Sequence, residues 1–227
     1  MKKIFVMGAL AVAAVGAQAD GYVGASVGRG KLPFDCEQGT SCKQRVNVFK
    51  IYAGTRLKEA RQLDLGIGRI DALEVGFLRT NGKATETRME EQEYNVIVKD
   101  PADPTNTIND VFTRTAPARR LVSLDALVFA PVLRVNVMTD VDLFVKAGAA
   151  VVTATVKTTK TATTEVPKEV SVKSESQTKL KPYLALGASY AVTSGVKVFG
   201  ATDWFPYSVE GVSGTVRAFS LGAEMAF

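Results

Sequence analysis

From residue 21 to the end, the chain alternates in character with period two, and its two faces differ in a constant way. The last segment shows it best. Phe219, Leu221, Ala223, Met225 and Phe227 fall on one face; Ala218, Ser220, Gly222, Glu224 and Ala226 fall on the other. Successive residues of a strand point to opposite sides, so this segment is a strand with one large apolar face and one small or charged face. In a soluble sandwich the apolar face would be the core. In a membrane barrel it faces lipid, and the small face lines a narrow lumen.

The same split recurs in segments 21–29, 47–57, 73–79, 121–131, 141–152, 182–192 and 196–204. With the last segment that makes eight strands, an even number, each near the roughly 9–11 residues that a tilted strand needs to cross a bilayer. Past Ala19 no stretch of 18 apolar residues remains, which excludes a helical membrane protein. The fold expected is all-β: an eight-stranded antiparallel transmembrane β-barrel of the outer-membrane type.

Connection lengths test this independently. Long polar loops are expected at about 31–46, 80–120, 157–181 and 208–214, against tight turns at Met138–Asp140 and Thr193–Gly195. Long loops at one end and short turns at the other belong to outer-membrane barrels. The third loop carries six Lys and three Glu over 157–181. Its surviving alternation predicts an exposed hairpin that continues strands five and six and turns near Pro167. The second loop, with ADPTNTIND, reads as turns. Residues 58–72 are too long for a tight turn and read as a strand extension or an irregular element.

Residues 1–19 read as a cleaved signal peptide: Lys2 and Lys3, the apolar run Ile4–Val15, then Ala17-Gln18-Ala19. Export into an oxidising compartment favours a disulfide between Cys36 and Cys42 over two free thiols. The net charge of +5 shrinks when Lys2 and Lys3 are removed, and what remains is too dispersed to argue for nucleic acid.

The chain has no His. That removes Ser-His-Asp and Cys-His nucleophile systems and His metal ligands together. Two Cys cannot build an all-thiolate zinc site. Glu90, Glu91 and Glu93 read as a solvated acidic run. No catalytic, cofactor-binding or metal site is expected. On the lumen face the alternation places Lys50, Arg56, Lys146 and Lys197 against Glu74, Asp125, Asp203 and Glu224, with Leu127, Phe129 and Phe199 beside them. Buried charges must pair. The set is read as a salt-bridge network holding the barrel shut, or else as a gate whose pairs rearrange.

The GYVGASVG opening, the PYLALGASYAV–TSG–VKVFGATDW hairpin and the terminal AFSLGAEMAF resemble the small OmpA-type outer-membrane barrels over the whole mature chain. The resemblance implies that Phe219, Leu221, Met225 and Phe227 form the C-terminal β-signal read by barrel-assembly machinery. Many members carry a peptidoglycan-binding domain after the barrel, and here none is expected. The function expected is a non-catalytic, monomeric, integral protein of a Gram-negative outer membrane. It would act in envelope structure or surface interaction through its loops, with a small diffusion pore as the alternative. Expected partners are outer-membrane lipid, lipopolysaccharide and a surface ligand at the loops.

Overall fold

The computed structural model describes residues 20–33, 41–58, 62–66, 68–81, 84–99, 107–160, 172–209 and 211–227. The signal peptide, Cys36 and the turn near Pro167 lie outside them, and with Cys36 so does the Cys36–Cys42 pairing. The strands are β1 (Gly21–Lys31), β2 (Ser41–Lys43), β3 (Arg45–Arg56), β4 (Leu63–Asp64), β5 (Arg69–Asn81), β6 (Ala84–Lys99), β7 (Thr107–Met138), β8 (Val141–Lys160), β9 (Val172–Ala191), β10 (Val196–Val209) and β11 (Val212–Ala226).

Eight of them close a barrel. β1 pairs with β3, β3 with β5, β5 with β7, and β7 to β11 each with the next, all antiparallel. β11 then returns to β1, from Tyr22↔Ala226 to Lys31↔Arg217. Closure leaves no sheet edge in the wall, the condition for strands to sit in lipid. At the terminus end, Phe227 N donates to Gly21 O at 2.9 Å and Ala226 N to Gly195 O at 2.8 Å. The tight turns after Met138 and Ala191 lie at this end too.

At the opposite end two ribbons outrun the wall. β6 pairs with β7 from Ala84↔Val122 to Lys99↔Thr107, and β8 with β9 as far as Thr159↔Val172. Most of 80–120 is therefore paired strand rather than loop, and Thr107–Asp110 of the expected turn region belong to β7. Outside lipid neither face needs to be apolar, so the contrast that reveals a membrane strand is missing there. Segment 58–72 is a small hairpin, Leu63↔Ile70 and Asp64↔Arg69. Its Gly66 has φ 77°, a left-handed conformation that glycine adopts without strain.

Prolines fix where the wall opens. The β9–β10 ladder stops at Trp204↔Leu184; continued, it would bring Pro206 opposite Pro182. Neither has an N–H to give a ladder. Beyond that point β9 keeps only β8, while Lys179 Nζ reaches Ser208 Oγ at 3.2 Å.

The outer wall is an apolar belt that includes Val27, Phe49, Leu73, Leu143, Leu186, Phe219 and Leu221, all exposed. Leu127 and Phe129 belong to it, at 41% and 49% exposure, which corrects the expectation that they point inward. Both faces of this strand are apolar, so polarity could not fix its phase. The register does: Phe77↔Leu127 and Val75↔Phe129 turn Val122, Leu124, Ala126 and Val128 into the lumen, where all four are buried. Phe199 is buried and faces inward as expected, and so does Phe205.

Candidate functional site in the barrel lumen

The lumen has two layers. Toward the hairpin end it is an apolar plug that includes Leu32, Val46, Val48, Leu78, Val122, Leu124, Phe205 and Val216, together with Tyr183 and Tyr207. Toward the terminus end, Tyr22, Tyr52, Phe144 and Phe199 stand among buried charges.

Each of those four aromatics lies directly across the ladder from a glycine: Tyr22↔Gly54, Tyr52↔Gly24, Phe144↔Gly187 and Phe199↔Gly222. A Cβ at Gly54 would lie 2.3 Å from the Tyr22 ring, and one at Gly24 2.3 Å from the Tyr52 ring. The rings fold over the partner backbone because no side chain stands there. They then meet edge-to-face, Tyr22–Tyr52 at 6.3 Å and Tyr52–Phe199 at 5.8 Å between centroids, the arrangement the ring quadrupole favours.

The charges are held within this aromatic layer. Lys50 Nζ lies 2.7 Å from Asp203 Oδ1 and donates to Tyr183 Oη at 2.7 Å; Tyr183 in turn donates to Asp203. Lys146 Nζ lies 2.6 Å from Glu74 Oε2, while Tyr22 donates to Glu74 Oε1 at 2.8 Å. Tyr52 donates to Glu224 Oε2 at 3.1 Å. Arg134 bridges Glu224 at 3.7 Å and Asp71 at 3.3 Å. Lys197 Nζ meets Asp142 Oδ2 at 2.6 Å, and Asn136 donates to the same carboxylate at 3.0 Å. Lys146 also sits 4.5 Å from the Tyr52 ring centroid, so its charge is shared between a carboxylate and a π-face. Each cation has a carboxylate neighbour, which is the condition for keeping charge in so tight a space.

Of the eight charges expected in the lumen, Lys50, Glu74, Lys146, Asp203 and Glu224 are buried within it. Lys197 and Arg56 are half-buried and line a cavity of about 560 Å³ at the terminus end, with Asp71, Arg134 and Asp142. Asp125 is not in the lumen. It stands on the outer wall, opposite Arg79 in the ladder, and takes Arg79 Nε at 2.8 Å and Nη2 at 2.9 Å. The inverted phase of β7 moved it.

Sequence reasoning missed Arg134, Asp71, Asp142 and the tyrosines. The parity of Tyr22, Tyr52, Tyr183 and Asp142 would have found those four, since each shares the lumen face of its strand. Asp71 was not legible: the β5–β7 register shifts between Ile70 and Ala72, a bulge that redirects the side chain. Of the four residues expected to form the β-signal, Phe219, Leu221, Met225 and Phe227 are all exposed on the outer wall.

No curated protein sequence matches the chain. Among solved structures it is similar to the Neisserial surface protein A, NspA, at 15% identity and TM-score 0.47, over 91% of this chain and 97% of that one. It is similar to Ail, the attachment invasion locus protein of Yersinia pestis, at 14% identity and TM-score 0.46, over 92% and 99%. It is also similar to the N-terminal β-barrel domain of Pseudomonas aeruginosa OprF, at 11% and TM-score 0.37, over 92% and 98%. The family profile of the OmpA-like transmembrane domain matches residues 16–202, most of the chain. The chain is thus an integral outer-membrane β-barrel of a Gram-negative bacterium and belongs to the OmpA-like transmembrane domain family.

Proposed function

We propose that this chain is a closed, non-catalytic barrel that presents paired strands at the cell surface for interaction with other molecules. The observation that carries the reading is the pair of ribbons, β6–β7 and β8–β9, continuing as regular ladders past the wall while the lumen beneath them is filled. A ladder holds its backbone in one conformation, so less ordering entropy is lost when it binds. The lumen serves as the anchor: neutralised charges and packed aromatics hold the wall rigid under the ribbons.

The competing reading is a small diffusion pore, favoured by the cavity of about 560 Å³ at the terminus end. Single-channel recording on the refolded chain in a planar bilayer separates the two. No discrete steps are expected, and regular steps from folded, inserted protein would make the chain a pore. The surface role is tested with cells that display either the full chain or a chain whose residues 88–117 and 157–174 are replaced by short turns. Attachment of cells to one another or to matrix-coated glass is expected only with the full chain. Equal attachment by both strains, with equal folded barrel on the surface, would remove the surface reading.

A further inference from the structure

On the outer wall at the hairpin end, three cations stand side by side on three neighbouring strands. Lys31 of β1 lies directly opposite Arg217 of β11 on one side and Arg45 of β3 on the other. Arg29 lies two residues below Lys31 on the same face, between Phe219 and Asn47. All four cations are exposed. Like charges directly across a ladder repel and destabilise the sheet. Elsewhere the barrel answers Lys50, Lys146 and Arg79 each with a carboxylate. Here it does not: among the described residues Arg29, Lys31, Arg45 and Arg217 make no ion pair and no hydrogen bond.

The surroundings of the cluster identify what would complete it. A groove of about 440 Å³ adjoins it, lined by Val27, Gly28, Arg29, Asn47, Val48 and Phe49. Val27 and Phe49 belong to the apolar belt, so the groove runs from hydrocarbon to the cations. Trp204 stands opposite Arg217 in the ladder, and indoles favour the level where a membrane meets its headgroups. A soluble anion would use the cations and ignore the groove; an uncharged lipid would do the reverse.

We propose that Arg29, Lys31, Arg45 and Arg217 form a binding site for a multiply phosphorylated lipid of the outer leaflet, with phosphate between the cations and an acyl chain in the groove beside Val27 and Phe49. Guanidinium groups suit phosphate oxygens because their donors match them in pairs. The site rests on the reading above, which puts the hairpin end at the outer surface.

The test compares the chain with an Arg29→Gln, Lys31→Gln, Arg45→Gln, Arg217→Gln variant, both refolded into phosphatidylcholine nanodiscs. Binding of diphosphoryl lipid A, of the same lipid stripped of its phosphates, and of inorganic phosphate is read by native mass spectrometry. Diphosphoryl lipid A should bind the variant at least about tenfold more weakly, given the salt-sensitive worth of several phosphate contacts. The stripped lipid should bind both proteins equally and weakly, and inorganic phosphate should neither bind measurably nor displace the lipid. Equal binding of diphosphoryl lipid A to both proteins overturns the site. Stripped lipid that binds the parent chain as well as lipid A makes the groove an acyl site only, and tight inorganic phosphate makes the cluster a free-anion site; both also overturn it.

Thermal unfolding in a neutral detergent guards against a folding artefact. The variant should melt at or above the parent chain there, because repulsion has been removed. If it melts lower, Lys31→Gln alone carries the comparison, since it relieves both cross-strand contacts at once. A parent chain that shows no heat-dependent gel shift would fail the barrel reading itself. A folded barrel without phosphate-dependent binding fails this proposal only.

Discussion

Tyr52 lies over Gly24, its cross-strand neighbour, so closely that a Cβ on Gly24 would stand 2.3 Å from the ring. The ring cannot swing away freely, because its hydroxyl donates to Glu224 and its edge meets Phe199. Gly24→Ala is therefore expected to destabilise the barrel by about 1–3 kcal/mol, the usual cost of overpacking a filled interior. Urea unfolding in lipid vesicles measures it. Combining Gly24→Ala with Tyr52→Leu should give a smaller loss than the two single losses added, since the substitutions share one space. Strict additivity would mean that the ring and the glycine are not coupled.

The Lys50–Asp203 pair makes a different kind of prediction. Its side chains are 6% and 1% exposed, so removing one partner leaves the other charge buried. Lys50→Met or Asp203→Leu alone is expected to cost about 3–5 kcal/mol, while the double variant recovers most of that loss. The check is a double-mutant cycle from equilibrium unfolding in vesicles. A double variant as unstable as the worse single one would contradict the pairing.

Arg79–Asp125 is the control for that experiment. Its geometry is as good, but its side chains are 46% and 40% exposed. Asp125→Asn should cost clearly less than Asp203→Leu, because neither side chain of this pair is enclosed in the lumen. A loss as large as that of Asp203→Leu would return Asp125 to the lumen and overturn its placement on the outer wall.

The two layers of the lumen should fail separately. Phe205→Ala, in the apolar plug, is expected to lower stability by about 3–5 kcal/mol through the cavity it leaves. Planar-bilayer recordings of this variant should still show no conductance, because the aromatic and charged layer below remains in place. Ion steps from Phe205→Ala would mean that the plug alone closes the barrel.

Pro182 and Pro206 stop the β9–β10 ladder. Replacing both with Val should let the ladder continue beyond Trp204↔Leu184, adding about 0.5–1.5 kcal/mol for each net hydrogen bond formed. Hydrogen exchange provides the readout: amides between Lys179 and Tyr183 should become protected. Unchanged exchange would show that the opening is held by something other than the missing donors.

Much of this protein was legible in the residues. A strand in lipid must be apolar on one face, and a narrow lumen must be small or paired on the other. The period-two pattern therefore identified eight strands, the closed barrel and the inward direction of Lys50, Glu74, Lys146, Asp203 and Glu224. Where that physical demand lapses, legibility becomes partial. The β8–β9 continuation was still legible, because its alternation survives past the wall. The β6–β7 ribbon reads as loop, because beyond the lipid no face of a strand is required to be apolar.

Three things were decided only by the tertiary structure. The phase of β7 came from its register with β5 and β8, because both of its faces are apolar; that register sent Asp125 to Arg79 and turned Leu124 inward. The pairing of the lumen charges came from barrel closure, which brings Lys50 of β3 to Asp203 of β10 across 153 residues of chain. The bulge at Ile70–Ala72 accompanies a side chain of Asp71 turned toward Arg134. A single strand reveals which side of itself is greasy. Which partner lies across the lumen is a property of the closed ring, and no segment carries it alone.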